Sequence, residues 1–159
     1  GDGRVHPSEL QGGPILPHFT RIDDAADVQV YQPIMQAPSG DVTWRLLRGS
    51  GYKKDNRLLP EGFDKSTADE DIAVNGRAGK DDDFAGGGDR VTYAVAIPEG
   101  RVPARVEAEL YYQPISYRWA RNLAQQDAPE IQRFVGWYDG MADESAIVLA
   151  SAAHDLERP

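Results

Sequence analysis

The stretch ARVEAELYYQPI, residues 104–115, constrains the fold more than any other. Val106, Ala108, Leu110 and Tyr112 share one parity; Arg105, Glu107, Glu109 and Tyr111 share the other. Side chains alternate between the two faces of a strand, so this period of two predicts a strand. Further segments read the same way: DVQVYQPIM, IAVNG, DRVTYAVAIPEG and a closing SAIVLASA, expected to be buried. Between the last two strands the period changes. Ser116 is placed to cap a helix over YRWARNLAQQ. Asp127, with Glu130 three residues on, predicts a capping box for APEIQRFVGWYDGM, where Ile131, Phe134, Val135 and Tyr138 form an apolar stripe.

Strands, a helix pair and a last strand predict a mainly β fold: an antiparallel β-sandwich with a two-helix insertion near the C-terminus. Residues 1–25, punctuated by Gly12, Gly13, Pro14 and Pro17, read as an irregular N-terminal segment, and 26–159 as the sandwich domain. The chain opens GDGRVHPSEL, which reads as the middle of a longer protein. The sandwich edge is therefore expected to be filled by another segment or subunit.

Chemistry is narrowed by charge and by one missing residue type. A net charge of −9 over 159 residues disfavours nucleic acid and anionic membrane surfaces, while permitting a basic partner or a divalent cation. There is no cysteine, so the chain has no disulfide, thiolate zinc site or CxxCH haem attachment. No apolar run reaches the roughly 20 residues of a membrane span.

The segment DDDFAGGGDRVTY, residues 81–93, is the main candidate for a site. From Glu61 to Asp89 the chain carries nine carboxylates against three basic residues. Calcium takes six to eight oxygens, roughly, at flexible distances, and aspartates alternating beside glycines supply them. If the segment is extended, Asp81 and Asp83 point to one side and Asp82 to the other. The expected calcium ligands are Asp81, Asp83 and Asp89, with Asp64, Asp69 or Asp71 added by the long irregular stretch KKDNRLLPEGFDKSTADED. The spacing is not that of an EF-hand, and a solvated acidic turn is the competing reading. A phosphate cradle is excluded by the carboxylates. No G-x-S-x-G elbow or paired Ser and His supports nucleophilic catalysis, and catalysis by this chain alone is not expected.

Several stretches together, VQVYQPIM, SGDVTWRLL, YKKDNRLLPEGFDK, DIAVNGRAGKDDDFAGGGDRVTYAV, VEAELYYQPISYRWARNL and APEIQRFVGWYD, resemble the C-terminal β-rich module of secreted bacterial multi-haem c-type cytochromes. KDNRLLPEGFDK and LYYQPISYRWARNL are the most distinctive. The resemblance implies a periplasmic or extracellular location and haem c on a partner segment or subunit, not on this chain. It also implies that His18, in LPHFTRI, could reach a haem iron as an axial ligand. His6 and His154 pair with nothing at ligand spacing.

Tyr111 and Arg118 are expected to face outward as interface residues among the clustered aromatics. The leading functional expectation is a haem-free module that packs on the haem-bearing part and supports electron transfer indirectly. A calcium-stabilised binding or adhesion module is the first alternative, and a carboxylate-based hydrolase the second.

Overall fold

A computed structural model describes residues 8, 13–101 and 105–156. They fall into two compact units: Pro14–Val95, and the chain from Ala96 onward together with Ser8 and Gly13.

In the Pro14–Val95 unit the strands are short. β1 (Arg21–Ile22) pairs in parallel with β4 (Thr92–Tyr93). β2 (Pro33–Gln36) pairs antiparallel with β3 (Gly51–Asp55), with a register shift between Ile34 and Met35. The rest is turns and extended chain tied by single bridges such as Asp55 to Asn75. Its buried apolar residues are Leu16, Ile22, Ile34, Ala78 and Phe84. The buried polar ones, His18, Thr43, Lys54, Asp55, Asn56 and Asp81, outnumber them. Directional polar contacts, more than a large apolar core, therefore specify this unit.

The second unit holds β5 (Arg105–Tyr112), α1 (Tyr117–Leu123), α2 (Pro129–Met141) and β6 (Ile147–Asp155). Ser116 caps α1 as expected, accepting the Trp119 amide. The box expected at Asp127 is not formed. Ala128 is the N-cap, without a side-chain bond, because Pro129 opens α2 and its ring forces extended backbone on the residue before it. The stripe turns Tyr138 inward. Phe134 meets Trp119 of α1 edge-on at 5.9 Å, and Arg121 pairs with Asp139 at 2.5 Å.

β5 and β6 form an antiparallel ribbon, Arg105 opposite Asp155 at one end and Tyr112 opposite Ile147 at the other. Leu149 is the extra residue of a bulge. Paired residues share a face. One face carries Val106, Ala108, Leu110, Tyr112, Ile147, Ala150, Ala152 and His154; the other carries the charged residues Arg105, Glu107, Glu109 and Asp155 together with Tyr111, Val148, Ser151 and Ala153. The alternation read in the sequence is thus realised.

The β-sandwich is not. The described strands form three separate two-stranded sheets, and no sandwich is evident among them. The closing strand, expected to be buried, is exposed along all nine of its residues. Alternation specifies a strand and its faces; it does not specify what covers them. DVQVYQPIM contributes only Pro33, Ile34 and Met35 to β2, and DRVTYAVAIPEG only the two residues of β4. Val42 makes an isolated bridge to Gln36, and Leu46–Arg48 a single 3-10 turn.

Candidate functional site

The site is built on two loop segments that dock on one another. In KDNRLLPEGFDK, Asp55 exchanges both backbone bonds with Asn75 at 3.0 Å, and its carboxylate takes Arg57 in a fork at 2.9 and 2.6 Å. Pro60–Phe63 then closes a turn through the Phe63 amide. DDDFAGGGD forms a second tight turn, Ala85 and Gly88 exchanging backbone bonds at 3.0 and 3.1 Å. Gly87, at φ +92°, gives its amide to the Leu59 carbonyl. Gly86 lies so close to the first turn that a Cβ there would stand 2.8 Å from the Phe63 amide nitrogen and carbonyl oxygen. Glycine is required by that approach. The glycine run turns the chain so that Asp81 and Asp89 come back to the same place.

That place is His18. Its ring packs edge-on to Phe84, centroids 4.9 Å apart, and Tyr31 stacks on the same phenyl ring. Its Nε2 lies 2.9 Å from Asp81 Oδ2 and 3.9 Å from Asp89 Oδ2. Two amide groups approach the other nitrogen, Nδ1: Gln29 Nε2 at 2.9 Å and Asn56 Nδ2 at 3.1 Å. The orientations of both amides are fixed by the backbone. Gln29 Oε1 accepts the Phe19 amide, and Asn56 Oδ1 accepts the Gln32 amide while Nδ2 also donates to the Val30 carbonyl. Nδ1 therefore accepts, and the ring proton sits on Nε2, donated to Asp81.

The carboxylates are well supplied with donors. Asp81 also accepts the Asp83 amide; Asp89 accepts the Tyr31 hydroxyl at 2.7 Å and the Arg90 amide at 2.8 Å. Burial acts to raise the Asp81 pKa, but the His18 N–H, the Asp83 amide and the nearby Lys65 ammonium outweigh it and hold it below the usual range. Burial, and then the bond to Asp89, raise the Tyr31 phenol. Lys54 lies beneath, donating to the Leu16, Val30 and Pro17 carbonyls. Lys65 donates to the carbonyls of Phe84 and Asp81.

The sequence expectations meet this geometry unevenly. Of the six aspartates expected to gather around calcium, only Asp81 and Asp89 come together, joined by His18. Asp64, Asp69, Asp71 and Asp83 are exposed, and Asp64 folds back on Ser66 in a local turn. His18 is 3 % exposed, with both nitrogens engaged inside the unit, so it presents no open coordination position to an external haem. Nor does the His18–Asp81–Asp89 group fit a metal ion as arranged. A metal on Nε2 needs the proton on Nδ1, where it would face two amide N–H2 groups. Tyr111 faces outward as expected, its hydroxyl on Glu109. Arg118, expected outward, is buried and donates to the Gly13 carbonyl. His6 lies outside the described residues.

Sequence reasoning missed Gln29, Tyr31, Lys54 and Asn56. Their one signal was the length of the irregular stretch after Lys53, too long to stay ordered without anchors. The anchors are the chain's own side chains.

As chemistry, the His18–Asp81 pair has the form of a base and its orienting carboxylate. The nitrogen that would accept a substrate proton is the one closed off by Gln29 and Asn56. An open cleft of about 300 Å³ beside Leu58, Phe63 and Ile72 includes one carboxylate, Asp55, already held by Arg57. The site is a fully satisfied buried network that locks five chain segments together. No protein-family model, no curated protein and no solved structure matches the chain.

Proposed function

We propose that this chain is a haem-free interaction module of an extracytoplasmic multi-haem cytochrome system, which packs on the haem-bearing part or subunit and supports electron transfer indirectly. The observation that carries the reading is the uncovered apolar face of the β5–β6 ribbon. Val106, Tyr112 and Ile147 on that face are each more than half exposed. A two-stranded ribbon with a bare apolar face is marginal in water and is stabilised by a covering layer. The opposite face, which carries Arg105, Glu107, Glu109 and Asp155, would stay in solvent. The cytochrome identity of the partner rests on the sequence resemblance. The haem belongs to the partner, since the chain has no cysteine and His18 is engaged.

The test is to recover the tagged chain from its native cells beside a Val106→Lys, Leu110→Lys variant. The expected result is a Soret band and CxxCH-haem peptides with the parent chain, strongly reduced with the variant. Recovery without haem, or equal haem with both chains, overturns the proposal.

A further inference from the structure

The two outer edges of the ribbon are unlike. β5 places Arg105, Glu107 and Glu109 at alternate positions, whereas β6 runs IVLASAAH before its first carboxylate, Asp155. Exposed edge strands pair with other chains unless charges, prolines or bulges guard them, and from Ala150 to His154 β6 has none of these. We infer that the outer edge of β6 pairs antiparallel with β6 of a second copy, giving a four-stranded sheet ordered β5–β6–β6–β5.

Charge selects the copy and the edge together. A two-fold axis normal to the sheet pairs residues of like parity. Centred on Ala152, it sets Ala150 opposite His154 and Ser151 opposite Ala153 of the second copy, so no carboxylate meets another; the Leu149 bulge lies outside the paired core. Self-pairing of β5 in any near-full register sets a glutamate opposite a glutamate, which is destabilising. The paired edge differs from the apolar face, so this inference does not rest on the proposed cytochrome partner; it would double the face offered to that partner. Because each copy carries a net charge of −9, the dimer should strengthen as salt screens their repulsion.

The test is sedimentation velocity over a roughly hundredfold range of concentration at low salt and at about 0.5 M salt, with hydrogen exchange of the β6 amides. The expected result is a reversible dimer, favoured by salt, with β6 amides protected as it forms. Ala152→Lys, which sets two lysines face to face, should weaken it several-fold, while Ala108→Lys, its neighbour on the same face of β5, should leave it intact. Both side chains are exposed, so neither change threatens folding. A monomer at every concentration overturns the inference. So does equal disruption by both variants, which would assign the contact to the apolar face.

Discussion

His18 Nε2 donates to Asp81 Oδ2 over 2.9 Å, joining two buried residues 63 positions apart. The bond depends on the two amides that fix the proton on Nε2, so it reports the integrity of the whole network. Three measurements probe that network.

Replacing Asp81 by Asn removes the charged acceptor while keeping its shape. The cost should be about 1–3 kcal/mol at neutral pH, read from urea unfolding. The sign of its pH dependence follows from the depressed pKa of Asp81. The unfolded carboxyl titrates near pH ~3.9, so the stabilisation is complete above about that value and is lost as pH falls through the folded one. Parent protein should lose stability more steeply than Asp81→Asn below about pH 4. Parallel acid limbs would show that Asp81 carries no native-state charge stabilisation.

Gly86 tests the docking of the two turns. In Gly86→Ala the new Cβ meets backbone atoms of Phe63 at 2.8 Å, and neither turn can yield without breaking the other. A loss of about 1–3 kcal/mol is expected, as for overpacking. Gly88→Ala, whose Cβ meets nothing within 4 Å, should change stability by less than about 0.5 kcal/mol. Equal midpoints for the two variants in thermal melts would contradict the close approach.

Lys54 gives an alkaline signature. Burial pushes its ammonium down to about 8. An unfolded lysine titrates near ~10.4, so the cost of burying the charge is fully present below pH about 8 and is relieved as pH rises toward the unfolded value. Tyr31 works the other way: its raised pKa makes a stabilising contribution that is lost as pH rises beyond the ordinary tyrosine value of ~10. Between about pH 8 and 9.5 the lysine effect stands alone, and stability should rise by up to about 1.4 kcal/mol per pH unit. Lys54→Met should be flat in that window. A flat parent curve would mean that the three carbonyls keep the ammonium charged.

Much of the second unit was legible. Alternation from Arg105 to Tyr112 gave the strand and its faces, Ser116 the start of α1, and Ile131, Phe134, Val135 and Tyr138 the inward side of α2. These are local signals, read within a few residues. Arg118 was misplaced because helix position alone does not tell where a long cationic side chain finds its acceptor, here the Gly13 carbonyl. In the Pro14–Val95 unit two aspartates of the acidic loop, Asp81 and Asp89, meet at His18, whereas Asp64, Asp69, Asp71 and Asp83 stay exposed.

The sequence by itself determined the strand faces, the helix positions, the absence of cysteine chemistry and the glycine run that makes a tight turn. Only the tertiary structure decided that the closing strand is exposed along its length, and that Asp81 and Asp89 meet at His18. The physical reason is range. Periodicity and turn chemistry act over a few residues and are written in order along the chain. The proton on His18 is fixed by Gln29 and Asn56, whose orientations depend on the backbone of Phe19, Val30 and Gln32, partners that have no fixed spacing in the sequence.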